Sequence, residues 1–309
     1  LTPDPFADLP VLGALPPDQA ITKLREVGED MVAAQIEERT RDRSPESFRG
    51  GLADWWPFRD RAWQHTAHAF GFLAAGGMGS APRPIQAIGT VQADSALRGG
   101  RVKIALNQLR VADYPGGGTH RVLFDFYARN QAPGGAEDLH FNATYRVREG
   151  ERAAIAGYPI FIGLNVGSEG VAFRCHTVNA KNDADEAFLD MLEGDVFKAG
   201  LKLVTTAQPA IAPLTDMALG LTKAVAKRNR NVSVQDFYLG LDFAGTGMGA
   251  RLAQGDYIAV QLPESLRRVW RWDDWVFDPD SGLIVDRGDN DELIPYNYVV
   301  FGVSRYDGE

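Results

Sequence analysis

The 309-residue chain carries 32 Lys plus Arg against 41 Asp plus Glu, a formal net charge of -9, and 45% of its residues are hydrophobic. This acidity repels phosphate backbones and anionic lipid at long range, which argues against a nucleic-acid partner. The single cysteine, Cys175, excludes an intramolecular disulfide and a cysteine-based zinc site, and it fits a reducing, cytoplasmic setting.

In chain order, Pro3, Pro5, Pro10 and Pro16 predict an extended arm. Ile21, Leu24, Val27, Met31 and Val32 then recur at helical spacing, predicting a helix from Pro17 and Asp18 to about Glu38. The aromatic run Trp55, Trp56, Phe58, Trp63, Phe70 and Phe72 reads as a second, more deeply buried helix ending at Gly76 and Gly77. Gly79, Pro82 and Pro84 mark a linker, which divides the chain into an arm and helical region (1–80) and a β region (81–309).

Past the linker the hydrophobic period changes to two. Strands are expected over 85–93, 102–112, 122–129, 139–148, 160–166 and 171–178. The clearest is Leu139, Phe141, Ala143, Tyr145 and Val147, apolar at alternate positions, with His140, Asn142, Thr144 and Arg146 between them facing water. A two-helix insertion follows at about 183–231: a short helix capped by Asp183 and Glu186 and a second one from about Thr215 to Arg228. Strands return at 237–243 and 257–262. A C-terminal hairpin turns at Pro279-Asp-Ser-Gly282, and the last strand covers 297–304. The fold class is therefore mainly β, α+β overall: an antiparallel β-sandwich with an N-terminal helical region and a two-helix insertion. No apolar run reaches the ~20 residues of a membrane-spanning helix.

Chemistry-bearing residues are sparse. His65 and His68, spaced i and i+3 on the expected helix, lack a third metal ligand nearby and read as packing residues beside Trp63. His140 and His176 project from the outer sheet face, and His176 shares that face with Arg174; if their strands pair, Arg174, His176 and His140 form a ligand or anion site, the alternative being a solvated surface. Cys175 points to the opposite, apolar side, so no nucleophile–base pair forms with its neighbour His176. Gly245-Thr-Gly-Met-Gly-Ala250 matches a dinucleotide fingerprint in letters only, because no helix follows it. The cations Lys223, Lys227, Arg228 and Arg230 complement the negative end of the preceding helix.

The strand spacing from Val102 to Val178, with the Pro115–Gly118 loop between strands, resembles C2-type β-sandwich domains over a third to a half of the chain. In that family calcium is held by aspartates on neighbouring loops. The resemblance implies Asp113 on one side and Asp183 and Asp185 on the other as calcium ligands, and calcium as the one cofactor to test. With no nucleophile–base, phosphate-loop or metal motif, the sequence leans away from an enzyme. The expected function is a non-enzymatic binding or assembly module acting through protein–protein contacts. One alternative is a C2-like peripheral membrane-binding module, and another is an enzyme whose site is assembled from sequence-distant residues such as His140, His176 and Arg174.

Overall fold

A computed structural model describes residues 5–41, 61–76, 80–132, 135–155, 157–192, 200–203, 211–243, 249–289 and 292–308. In chain order these form α1 (Pro17–Glu26), α2 (Asp30–Arg41), β1 (Ala67–Ala74), β2 (Arg83–Pro84), β3 (Gln86–Ala87), β4 (Arg101–Arg110), β5 (Thr119–Ala132), β6 (Gly135–Arg148), β7 (Tyr158–Asn165) and β8 (Gly170–Ala180). The chain continues through α3 (Glu186–Leu192), β9 (Leu201–Lys202), α4 (Ile211–Ala226), β10 (Asn231–Asp242), β11 (Ala250–Arg251), β12 (Gly255–Leu262), α5 (Glu264–Arg267), β13 (Trp275–Asp278), β14 (Leu283–Asp286) and β15 (Tyr298–Arg305).

The protein is mainly β. Among the described residues, one sheet has the order β3-β1-β12-β15-β4-β7-β9, a second β11-β10-β8-β5-β6 and a third β14-β13-β2. The long pairings are antiparallel, and only the short β9 and β11 join in parallel. Alternation along β4 puts Val102, Ile104 and Leu106 into a core shared by the two larger sheets, where they meet Phe124, Phe126, Phe141 and Phe173. Rings close the gap between these sheets: Phe126 lies 5.1 Å from Phe301 and 6.3 Å from Phe161, and Phe173 lies 5.4 Å from Phe301. Cys175 is fully buried in this core, as the alternation requires.

A second core separates the other face of the seven-stranded sheet from the three-stranded one. It is built from Ile258, Val260, Tyr298 and Val300 against Trp272 and Ile284. The C-terminal hairpin forms as expected, with Gly282 at φ +65° donating its N–H to the Asp278 carbonyl at 2.8 Å.

Four local expectations are corrected. The aromatic segment is not a helix where it is described: Ala67–Ala74 is a strand paired with β12 from Ala67↔Leu262 to Ala74↔Gly255. Ala67 and Ala69 enter the second core and Phe72 the first, so both faces are covered and the single polar residue, His68, is too little to reveal the period. Trp55, Trp56 and Phe58 lie outside the described residues. The first helix is split at Gly28, whose φ of +84° ends α1 in the left-handed conformation. The strand expected over 85–93 is reduced to β3 followed by single 3-10 turns. The helical turn at 183 is capped by Asn182, whose side chain accepts from the Ala184 N–H, not by Asp183.

The insertion between β8 and β10 contains α3 and α4, as the sequence predicts, and its position is what shapes the site. Leu189, Leu192, Val225 and Ala226 pack on Leu123 and Val178, so both helices lie on the outer face of the five-stranded sheet. Phe6 and Leu9 of the N-terminal arm complete that cover.

Candidate functional site beneath the N-terminal arm

The register of the five-stranded sheet brings sequence-distant polar residues into rows. Asp236 pairs with His176, His176 with Asp125, and Asp125 with Asn142, forming one line across β10, β8, β5 and β6. The adjacent row on the same face is Tyr238, Arg174, Tyr127 and His140. Two-residue periodicity alone produces this arrangement once the strands are in register.

Except for Tyr238 at the outer edge, which is 62% exposed, these side chains are withdrawn from solvent. His140, Asn142 and Thr144 are 6%, 4% and 6% exposed, and Asp125 and His176 are fully buried, which overturns the expectation that these alternate residues of β6 face water; Arg146, farther along the strand, is exposed as expected. The insertion helices and the arm are the physical reason: they cover the face that an isolated sheet would leave wet.

Burial of polar groups requires partners, and the face supplies most of them, Asn142 Oδ1 being left without one among the described residues. Asp125 Oδ1 lies 2.9 Å from His140 Nδ1, while its Oδ2 accepts from the Thr222 hydroxyl of α4 at 2.6 Å. Thr222 in turn accepts from Asn142 Nδ2 at 2.6 Å. Thr144 donates to the Leu189 carbonyl of α3 at 3.1 Å. His176 Nε2 lies 3.0 Å from Ser233 Oγ, and Arg174 grips Asp236 through two bonds of 2.7 and 2.5 Å. A fork of this kind is the strong form of a charged hydrogen bond.

Phe6 closes the face. Its ring stacks on His176 at 4.6 Å and meets His140 edge-on at 5.7 Å, with the Arg174 guanidinium 5.1 Å from its centroid. Two residues on, Asp8 is held between Lys223 at 3.0 Å and Lys227 at 2.7 Å on α4. Hydrogen bonds from Lys227 and then Lys223 draw its carboxyl down to about 2.

The three residues read as a ligand or anion site, Arg174, His176 and His140, are thus brought together around one aromatic ring. Sequence reasoning missed Asp125, Thr222, Ser233, Asp236 and Phe6. A signal existed for Asp125: it is a lone carboxylate within Val122-Leu-Phe-Asp-Phe126, a strand otherwise made of core residues.

The calcium candidates are not brought together. Asp113 takes a fork from Arg61 at 2.7 and 2.8 Å, Asp185 pairs with Arg228 and Asn231, and Asp183 pairs with Arg230 at 3.2 Å. Among the described residues no group of three His, Cys, Asp or Glu side chains is placed to hold a metal ion. Carboxylates already neutralised by guanidinium groups are poor cation ligands. The same pairs correct the reading of the basic cluster: Lys223, Lys227, Arg228 and Arg230 each face a carboxylate, so tertiary ion pairing holds them in addition to any helix dipole. His65 and His68 are not helical neighbours, since His65 follows a 3-10 turn and His68 lies in β1.

Chemically, Asp125 and His140 form an oriented carboxylate–imidazole pair, but Phe6 and α4 stand between it and solvent. Burial also raises the Cys175 thiol well above its ordinary range, leaving it inert. No family model, curated protein or solved structure matches the chain. No helix among the described residues is long and apolar enough to cross a membrane.

Proposed function

We propose that this chain is a non-enzymatic assembly module, and that it joins copies of itself by exchanging the segment of residues 5–10. The observation that carries this reading is the seat of Phe6, a slot made of His176, His140 and Arg174 and continued by the Lys223–Lys227 clamp on Asp8. The slot grips an extended segment by an aromatic ring and, two residues later, a carboxylate. A second copy carries the same segment, so every contact made within one chain re-forms between two, and the balance rests on concentration and on the strain of the connection. That connection is short and stiff: Pro5 and an exposed Pro10 bound the segment.

The catalytic alternative is less well supported, because its reactive groups are covered and Cys175 faces the core. Light scattering over a concentration series tests the proposal. The full chain is expected to shift from monomer to dimer, and Phe6→Ala is expected to abolish the shift. The vacated slot of Phe6→Ala should bind a synthetic peptide of residues 1–11, and replacing Phe6 in that peptide should weaken binding about tenfold or more, the equivalent of ~1.4 kcal/mol. A chain that stays monomeric throughout, or a dimer indifferent to Phe6, overturns the proposal.

A further inference from the structure

The outer face of the seven-stranded sheet is covered along only part of its length. Ile258 and Val260 of β12 and Tyr298 and Val300 of β15 enter the second core, beneath the three-stranded sheet. One alternation further along the same two strands the face opens. There a pocket of about 350 Å³ lies between the end of β1, Arg83 of β2, β4, β12 and β15.

Strand register puts the polar residues of this pocket on one face. Asp256 pairs with Gly302 and Gly302 with Ala105, and in the next row Ser304 pairs with Lys103. Gly302 and Ala105 make a floor with little side chain, and the polar groups stand around it.

Asn107 is the informative residue. The β15–β4 register slips between Val300 and Phe301, which leaves Asn107 unpaired as the extra residue of a bulge. A bulge re-aims a side chain, and here Asn107 Nδ2 donates to Asp256 Oδ1 at 2.6 Å. The bridge passes over Gly302 and needs a glycine there: an added Cβ would lie 2.7 Å from Asn107 Nδ2 and 2.9 Å from Asp256 Oδ1.

What the bridge leaves unused defines the ligand. Among the described residues Asp256 Oδ2 and Asn107 Oδ1 accept no hydrogen bond, and Asp256 forms no ion pair. Burial raises the Asp256 carboxyl above its ordinary range, opposed by the Asn107 hydrogen bond and then by the charge of Arg83, whose guanidinium donates to the Ala74 carbonyl. Lys103 stands on the same face two strands from Asp256, roughly 10 Å across the sheet, and among the described residues it too has neither ion pair nor hydrogen bond. A carboxylate with a free oxygen and an ammonium thus face one cavity without neutralising each other. A neutral polyol would leave the half-buried carboxylate without a counter-charge, and a simple anion would satisfy Lys103 alone. A small molecule carrying both an ammonium and a carboxylate satisfies both ends, and the volume is at the small end of ligand sites.

We infer that this pocket binds a free amino acid, its ammonium group held by Asp256 Oδ2 and Asn107 Oδ1 and its carboxylate by Lys103. The inference is independent of arm exchange, because the pocket lies on the other large sheet from the Phe6 slot.

The test titrates the full chain by calorimetry at matched ionic strength with L-alanine and with γ-aminobutyrate, which hold the two charges at different separations. Propionate, propylamine and glucose serve as controls that each carry one feature. Saturable heat is expected with at least one amino acid, and every control should bind at least about tenfold more weakly. The side-chain amide resonances of Asn107 should move along the same isotherm. Asp256→Asn keeps an acceptor for Asn107 but removes the charge, so it should abolish binding; Lys103→Ala, at a half-buried position, should weaken it about tenfold. Melting curves of both variants check that the fold is kept. Affinity should also fall as pH drops through the Asp256 titration, because the protonated acid no longer attracts an ammonium. Absence of saturable binding by both amino acids overturns the inference. So does a control that binds as tightly, an Asn107 amide that stays unmoved, or full binding by folded Asp256→Asn.

Discussion

Replacing Asp125 by alanine separates a structural polar layer from a decorative one. The carboxylate is fully buried and accepts from Thr222 at 2.6 Å while lying 2.9 Å from His140 Nδ1. Its removal strands an imidazole nitrogen and a hydroxyl hydrogen in a water-poor layer and leaves Asn142 bonded to a hydroxyl no longer fixed in orientation. Each hydrogen bond to a charged group contributes about 1.5–3 kcal/mol, and breaking a buried polar pair from one side costs about 3–5 kcal/mol, since the losses overlap and do not add. At roughly 2 cal/mol/K of unfolding entropy per residue, ~4 kcal/mol in a chain of this length lowers the melting temperature by about 6 °C. Asp125→Asn should lose less, about 1–2 kcal/mol, because its carbonyl still accepts from Thr222 and its amide can donate to the other tautomer of His140. Denaturant titration and calorimetry give the magnitude. Hydrogen exchange gives the location: α4, tied to the sheet through Thr222, should lose protection first. A loss below about 1 kcal/mol for Asp125→Ala would refute the reasoning, as it would mean that water already satisfies these groups.

Three further outcomes follow from the same structure. Asp8 is expected to titrate near 2, so its contribution to holding the arm is present above the ordinary value of 3.8 and is lost as pH falls through about 2; Lys227→Ala should move the carboxyl resonance midpoint back toward 3.8. His68 and His120 both have pKa values lowered to about 4 by burial, so between 6.5 and 4 the unfolded chain takes up protons that the folded chain refuses. Stability should therefore fall as pH drops through that window, by roughly 2 kcal/mol per residue between pH 7 and pH 5, read as denaturation midpoints at those two values, and a flat profile would contradict it. Gly170→Ala should destabilise by about 2–4 kcal/mol in the same titration, because φ is +131° and the added Cβ would sit 2.0 Å from the Leu241 carbonyl oxygen; wild-type stability in that variant would show that the β8–β10 junction relaxes freely.

The polar layer also explains why the arm is placed so definitely. An apolar outer face would accept almost any greasy segment. Here His176, Arg174 and the lysine pair on α4 admit a ring followed by a carboxylate, so specificity rests on polar groups whose burial is compensated one by one.

Much of the architecture was legible in local pattern. Two-residue alternation located β4, β5, β6, β8 and β10, put Cys175 inside, and set His140, His176 and Arg174 on one face, because in a strand the direction of each side chain follows from its position alone. Tertiary structure decided what that face meets. Whether a polar strand position is wet or buried depends on what packs over it, and the cover comes from Phe6, more than a hundred residues earlier in the chain, and from Thr222, eighty residues after Asn142. The strand at Ala67–Ala74 failed to announce itself for the complementary reason: with cores on both sides it carries no polar period, and a run that is apolar but for His68 is equally compatible with a buried helix until a pairing partner is known. Local chemistry thus fixes orientation, while solvent access is a property of the assembled layers.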